Sequence, residues 1–130
     1  MRQKMSNKPK PKDIKLHQNS HILEITFNEG STFNLPTEYL RVNSPSAEVQ
    51  GHGPGQEVLQ IGKQDVNITK IDMVGNYAIQ LSFDDNHDTG IYSWDTLYDL
   101  GKNYESNWNT YLERLKEAGH QRPDPKHSAN

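Results

Sequence analysis

The chain contains no cysteine in its 130 residues. This absence excludes a disulfide framework, a thiolate nucleophile, cysteine-ligated zinc and an iron–sulfur cluster held by this chain alone. Long apolar runs are absent as well, and none of the runs present would serve as a signal peptide or a membrane span. We therefore expect a soluble, cytoplasmic protein that does not associate with membranes.

Catalytic signatures are also missing. The chain has no Gly-x-x-x-x-Gly-Lys-Ser/Thr motif of a P-loop and no His-x-Asp motif of an iron-binding facial triad. A Gly-x-Ser-x-Gly nucleophile elbow does not occur either. These absences favour a non-catalytic protein over an enzyme, and we expect no resident cofactor.

Charge is distributed unevenly along the chain. Six of the 14 Lys and Arg residues but only one of the 17 acidic residues fall within residues 1–16, so the remainder is acidic. An acidic body argues against nucleic-acid binding, which needs basic residues on the folded surface. Because hydrophobic residues make up only 32% of the chain and are rare at both ends, we predict disordered tails at 1–16 and 120–130. A single domain then spans 17–119.

The first half of this domain has the pattern of a hairpin followed by a short helix. Apolar and polar residues alternate over 21–27 and again over 31–35, with an Asn-Glu-Gly turn between them. Pro36 suits the first turn of a helix. Residues 43–56 contain two prolines and three glycines, which predicts a loop.

Alternation resumes over 65–83, with a change of phase that predicts a bulge near Thr69 and Lys70 and a turn at Gly75. The second of these strands has a periodic face formed by Tyr77, Ile79, Leu81 and Phe83. Residues 89–94 give a further strand.

The chain ends in two helical patterns. We predict helices at 95–100, ended by Gly101, and at about 104–118, ended by Gly119. Strands that precede helices are typical of an α+β domain. The predicted fold is an antiparallel sheet of about five strands with a short helix after the first hairpin and a C-terminal amphipathic helix.

Polar residues concentrate around His87, in the segment Asp84-Asp85-Asn86-His87-Asp88. Carboxylates beside an imidazole would bind a divalent ion or raise the pKa of the histidine. The alternative is an inter-strand turn, since Asp and Asn favour turns through local backbone hydrogen bonds.

Ser44 and Ser46, combined with His52 or His87, suggest a Ser–His hydrolase as a further alternative. Pro45 between the two serines instead indicates a rigid loop, and an activated nucleophile is not favoured. Aromatic residues in the last third of the chain either cover the sheet or form a partner-binding surface. They are Tyr92, Trp94, Tyr98, Tyr104, Trp108 and Tyr111.

Two stretches, LRVNSPSAEV at 40–49 and FDDNHDTGIYSW at 83–94, carry a family resemblance. They resemble the paired motifs of the gamma-butyrobetaine hydroxylase N-terminal-like domain family, and the likeness extends over residues 21–100. In the oxygenases that gave the family its name, the domain holds a structural zinc through Cys-x-Cys-x-x-Cys in the first stretch and a His in the second. The three thiolate positions fall here on Ser44, Ser46 and Val49, and His87 alone matches a ligand. The resemblance therefore implies a domain whose serines hydrogen-bond the loop in place of the metal.

The resemblance also places the loop around His52 near His87. A metal site formed by His52 and His87, and completed by Asp85, Asp88 or Glu48, is the sharpest metal hypothesis. The alternative, which we favour, is a surface loop whose glycines serve turns.

Three functions stay open. The favoured one is an accessory, protein-binding module, because family members occur fused to P-loop iron–sulfur carrier ATPases and to Fe(II)/2-oxoglutarate oxygenases, which implies a client of that kind. The others are a small metal-binding protein or metal-dependent enzyme, and a self-associating structural module. The predicted binding-loop residues are Ser44, Ser46, Glu48, Gly51, Gly53, Tyr92 and Trp94.

Overall fold

The structure, a computed structural model, describes residues 8–126. The strands are β1 (Pro11–His17), β2 (Ile22–Phe27), β3 (Thr32–Pro36), β4 (Ile68–Val74), β5 (Ala78–Phe83) and β6 (Gly90–Ser93). The helices are α1 (Thr37–Val42), α2 (Ala47–Gln50), α3 (Trp94–Lys102) and α4 (Tyr104–Glu117). Within residues 8–126 no helix is both long and apolar enough to cross a membrane.

The six strands form two antiparallel sheets, ordered β1-β2-β3 and β4-β5-β6. The α+β class, the short helix after the first hairpin and the C-terminal helix are therefore confirmed. The prediction of about five strands in one sheet was wrong, because the long segment between α1 and β4 separates two three-stranded meanders. Each sheet keeps two edge strands as a result.

β1 lies where a disordered tail was predicted. Ile14 pairs with Ile25 and Leu16 pairs with Leu23, so the strand places two aliphatic side chains against the core while its charged residues point outward. The lysines at alternate positions made this segment look like a solvated tail. The first seven residues of the predicted tail lie outside the described residues.

One hydrophobic core joins both sheets to α1 and α3. Leu23, Ile25, Ile79 and Leu81 have no exposed surface, and Leu97 of α3 is equally buried. These side chains belong to one contiguous cluster. The loops that connect the two sheets are therefore held against a shared core.

The pairing of β4 with β5 confirms the predicted bulge, since the register shifts between Ile68 and Lys70. The predicted face of β5 was wrong at its first member. Tyr77 lies in the turn before the strand and is 57% exposed, whereas Ile79 is fully buried. The turn extends one residue further than the Gly75-Asn76 signal indicates.

The helices begin and end near their predicted positions, with one exception. Gly119 has φ +82° after α4, as its role as a stop requires. Gly101, predicted to end α3, lies inside that helix, where an added Cβ would overlap the ring of Phe33. This glycine serves close packing of the helix on β3. The predicted loop at 43–56 also contains the single turn of α2.

Residues 120–126 form neither helix nor strand, but they are bonded to the domain. Arg122 forms an ion pair with Glu38, and the backbone N–H of Lys126 donates to Asp65. The composition of this segment predicted a disordered tail, whereas here Arg122 provides a partner for a buried carboxylate and residues 120–126 lie against the domain. Residues 127–130 lie outside the described residues.

Candidate functional site

His87 lies in the tight connection between β5 and β6. The backbone N–H of Phe83 donates to the carbonyl of His87 at 2.8 Å, and Asn86 takes φ +69°. This conformation, which Asn tolerates better than most residues, turns the imidazole inward. His87 is only 4% exposed. The conformation agrees with the inter-strand turn interpretation, while metal binding or proton transfer at His87 stays a prediction.

Both ring nitrogens of His87 have partners. Nδ1 lies 2.9 Å from Oε1 of Glu48, and Nε2 lies 2.9 Å from Oγ of Ser44. A carboxylate accepts hydrogen bonds, so Nδ1 carries the proton and Nε2 accepts the hydrogen bond of the Ser44 hydroxyl. Burial and the nearby charge of Arg41 lower the pKa of His87 below its usual value. The neutral imidazole thus joins the loop after α1 to the β5–β6 turn.

Ser46, the second predicted thiolate position, caps α2 and belongs to the same network. Its Oγ accepts from the N–H of Glu48 and lies 2.7 Å from Oγ1 of Thr89. Its N–H donates to Oγ of Ser44 at 3.2 Å. Val49, the third position, is 3% exposed. Two hydroxyls and an apolar side chain thus occupy the positions where the resemblance implies thiolates.

A charged cluster lies beside this centre. Oδ2 of Asp85 accepts from Nε of Arg41 at 2.9 Å and from Nζ of Lys63 at 2.6 Å. Burial alone would raise the pKa of Asp85, but the hydrogen bond of Lys63 and the charge of Arg41 outweigh it and lower the pKa. The carboxylate therefore stays ionised and ties α1 to the loops at 60–63 and 84–88.

The order Ser44 hydroxyl, His87 imidazole, Glu48 carboxylate matches the order of groups in a hydrolytic triad. The arrangement differs from a hydrolytic triad in the accessibility of its hydroxyl group. Ser44 has no exposed surface, and an added Cβ on Gly90 would lie 2.5 Å from its Oγ. Because a nucleophile must reach its substrate, this arrangement serves structure.

The two histidines of the predicted metal site lie in different environments. His52 is exposed on the glycine loop, whereas His87 is buried with Glu48 as its acidic neighbour. Asp85 forms an ion pair with Arg41, and Asp88 is exposed. Within residues 8–126 no group of three or more His, Asp or Glu side chains is arranged to hold a metal ion. Metal binding at these residues stays a prediction.

The predicted binding-loop residues do not form one surface. Ser44, Ser46 and Tyr92 are buried, and the Tyr92 hydroxyl donates to the carbonyl of Leu40 at 2.6 Å. Burial raises the pKa of Tyr92, so the phenol stays protonated. Trp94 comes directly after β6, at the end of the strand opposite Gly90, and so lies away from the Ser44 centre. Glu48, Gly51 and Gly53 keep exposed surface, and Gly51 takes φ +73° against the carbonyl of Gln56.

Trp94 instead belongs to a groove that sequence reasoning missed. Its indole N–H donates to the carbonyl of Asn76 at 2.8 Å, which fixes the ring between two adjoining cavities of about 490 and 370 Å³. We call this surface the Trp94 groove. It is lined by Lys8, Pro9, Lys10, Pro11, Lys12, Asp13, Ile14, Asn28, Met73, Gly75, Asn76, Tyr77, Ser93, Trp94 and Asp95. In the sequence, Met73 and Tyr77 were visible only as apolar residues of the alternating segment, and their exposure appears only in the structure.

The two sheets, the buried histidine and the open groove define a small α+β domain. The family model described as Gamma-butyrobetaine hydroxylase-like, N-terminal matches residues 14–98, and the chain belongs to this family. No curated protein matches the chain.

Solved structures agree with this assignment. Two proteins with NMR solution structures are 48% and 46% identical to the chain, with TM-scores of 0.80 and 0.76. The first match covers 100% of this chain and 97% of that one, and the second covers 92% and 94%. A crystal structure of a DUF971-family protein of unknown function from Acidithiobacillus ferrooxidans is 34% identical, with a TM-score of 0.60. That match covers 71% of this chain and 92% of the other.

Proposed function

We propose that the chain is a non-catalytic accessory module that binds a protein partner through the Trp94 groove. The observation that carries this proposal is the contrast between the two candidate sites. The Ser44–His87 centre has triad-like contacts but no exposed nucleophile, whereas the Trp94 groove combines an anchored indole with open volume. Tryptophan is among the residues that contribute most to protein interfaces.

The groove lies between the edge strands of the two sheets. β1 is the outer strand of the first sheet and β4 is the outer strand of the second, and residues of both line the cavity of about 370 Å³. An edge strand presents backbone N–H and C=O groups to which an extended segment can pair. Met73, on β4, is 64% exposed and offers an apolar contact beside that edge. This geometry suits an extended peptide segment with apolar side chains.

Charge indicates the composition of that segment. Lys8, Lys10 and Lys12 line the groove and are exposed, against Asp13 and Asp95 on the same surface. The lysines would attract an acidic and apolar segment and speed its association with the groove. Added salt screens this attraction, so the segment would bind more weakly at high salt. The family resemblance suggests the owner of the segment, an iron–sulfur carrier ATPase or an oxygenase-type enzyme.

The experiment is an affinity capture from cell lysate. Three immobilised chains are compared: the wild type, Met73→Asp and Ile91→Asp. Both substitutions place a carboxylate on an exposed apolar site, since Ile91 is 46% exposed, but Ile91 does not line the groove. We expect wild type and Ile91→Asp to retain the same protein and Met73→Asp to lose it. The retained protein is then purified, and its affinity is measured by calorimetry at two salt concentrations.

Loss of the partner with both variants, or with neither, would contradict a role for the groove. A gel-filtration mass of two chains that only Met73→Asp reduces to one would assign the groove to self-association instead. A partner that binds with salt-independent affinity would contradict the contribution of the lysines.

A further inference from the structure

A second groove lies at the start of α1, beside residues 120–126, which we call the C-terminal strap. Glu38, in the first turn of α1, has a side chain that is only 8% exposed. A buried carboxylate needs a cationic or hydrogen-bonding partner. Here the partner is Arg122 of the strap, 84 residues further along the chain.

The contact has the geometry of specific guanidinium recognition. Nε of Arg122 donates to Oε2 of Glu38 at 2.9 Å, and Nη2 donates to Oε1 at 2.6 Å, so the pair is bidentate. The guanidinium carbon lies 5.4 Å from the centroid of the Trp108 ring, a cation–π contact. Trp108 is in turn stacked with Tyr104, with an angle of 7° between the rings. One carboxylate and a pair of aromatic rings therefore select a planar cation.

Open volume continues on both sides of this ion pair. One cavity of about 270 Å³ is bounded by Tyr104, Trp108 and Pro125, and another of about 200 Å³ by Tyr111 and Ile61. Glu38 and Arg122 line both of them. Residues of the strap itself line both cavities, so open volume remains beside the strap on each side of its arginine. An extended segment with larger side chains next to an arginine would fill that volume.

The strap itself has features of a replaceable occupant. It forms no helix or strand, and its sequence is Gln-Arg-Pro-Asp-Pro over 121–125. Proline-rich segments are pre-extended and dock in aromatic-lined grooves at low entropic cost. We propose that the groove between Glu38 and Trp108 is a recognition site for an Arg-Pro segment of a partner protein, which Arg122 occupies in cis.

The test uses the full-length chain carrying Arg122→Ala and a capped peptide of sequence Gln-Arg-Pro-Asp-Pro as the probe. The readout is the indole N–H resonance in a two-dimensional NMR spectrum. The chain has two tryptophans, so Trp108 reports on this groove while Trp94 serves as an internal reference. We expect a saturable shift of Trp108 and no shift of Trp94. The wild-type chain should bind the peptide at least tenfold more weakly, because its own arginine competes at high effective concentration.

Two controls separate recognition from general charge attraction. A peptide with Lys in place of Arg should bind at least tenfold more weakly, because an ammonium group cannot make the bidentate contact. Glu38→Gln combined with Arg122→Ala should abolish the shift in a chain that stays folded. If Arg122→Ala fails to fold, Arg122→Lys, which keeps the charge, takes its place, and an intermediate affinity is then expected.

A folded Arg122→Ala chain whose Trp108 resonance does not move at millimolar peptide would overturn the proposal and leave Arg122 as a clasp for its own C-terminus. Equal affinity for the Arg and Lys peptides would also contradict it. Because the Met73→Asp capture concerns the other groove, the two results are independent of each other.

Discussion

The hydroxyl of Ser44 lies 2.9 Å from Nε2 of His87, across 43 residues of chain. In the oxygenases that gave the family its name, the resemblance places a zinc-ligating thiolate and a zinc-ligating imidazole at the two matching positions. A direct hydrogen bond now joins them, with Glu48 on the other ring nitrogen. The loop after α1 and the β5–β6 turn are therefore connected by a hydrogen-bond network centred on a neutral imidazole.

This network makes stability depend on pH. The pKa of His87 is lowered in the folded chain, mainly by burial, relative to its usual value of 6.5. The unfolded chain therefore binds a proton at a higher pH than the folded chain does, so acid favours unfolding. The contribution of His87 to stability is present above about pH 6.5 and is lost as the pH falls from there through the folded pKa. Urea unfolding at pH 7.5, 6.5 and 5.5 measures this decline.

The matched variant is His87→Asn, whose amide does not titrate. We expect it to be less stable than wild type at pH 7.5, by about 1–3 kcal/mol, because the hydroxyl of Ser44 loses its buried acceptor. Its stability should change less between pH 7.5 and 5.5 than that of wild type. Parallel pH dependence in the two chains would show that another group is responsible.

The second prediction concerns metal binding after three cysteines are introduced at the positions where the resemblance implies thiolates. Ser44 lies 2.9 Å from His87, the N–H of Ser46 donates to Ser44, and Val49 is buried. The chain has no cysteine of its own to compete for metal. A chain with Ser44→Cys, Ser46→Cys and Val49→Cys should therefore bind one zinc ion with tetrahedral geometry and melt at a higher temperature when zinc is added. Metal content after dialysis and the visible absorption of the cobalt-substituted chain measure this.

The control for this experiment adds His87→Asn to the three cysteine substitutions. We expect cobalt absorption to weaken and metal affinity to fall at least tenfold, because one of four ligands is lost. Metal uptake that does not respond to His87→Asn would mean that the cysteines bind the ion elsewhere.

Local patterns predicted the elements better than they predicted contacts. A change of phase in the alternating pattern predicts the bulge between Ile68 and Lys70. The backbone preference of glycine predicts the end of α4 at Gly119. β1 was missed because lysines obscure the alternation of Ile14 and Leu16. Its strand character depends on a partner, β2, that the segment itself does not encode.

The candidate sites illustrate the same limit at longer range. Residue types alone suggested Ser44 with His87 only as one of several Ser–His combinations, and the family resemblance singled out the two positions, which lie 43 residues apart. Glu38 and Arg122 are separated by 84 residues, and neither carries a motif. Their pairing follows from burial of the carboxylate, which is a property of the packed chain.

The ion pair between Arg41 and Asp85 gives a third prediction. The side chain of Arg41 is 8% exposed, so Asp85→Asn leaves a nearly buried cation without its carboxylate. We expect a loss of about 1–3 kcal/mol in the free energy of unfolding. Asp88→Asn is the matched control in the same turn, because Asp88 is exposed, and its effect should stay within about 0.5 kcal/mol. Equal effects of the two substitutions would contradict a structural role for the Asp85 charge.

Asp85 also contributes to acid sensitivity, in a lower pH range than His87. Its pKa is lowered from 3.8 in the folded chain, because Lys63 and Arg41 outweigh the effect of burial. The stability from this group is present above about pH 3.8 and is lost as the pH falls through the folded pKa. Wild type should therefore lose more stability between pH 4.5 and 3 than Asp85→Asn does, which acid titration followed by circular dichroism measures.

The last prediction concerns Gly101, which lies inside α3 against Phe33. In an exposed helix interior, replacing glycine with alanine stabilises by about 1 kcal/mol. Here the added Cβ would overlap the Phe33 ring, and overpacking of this kind costs about 1–3 kcal/mol. We therefore expect Gly101→Ala to destabilise the chain by about 1 kcal/mol or more in urea unfolding. Repeating the substitution in a Phe33→Leu chain removes the ring, so there it should be neutral or stabilising. A stabilising effect in both chains would mean that the ring of Phe33 moves aside and that close packing does not require glycine at this position.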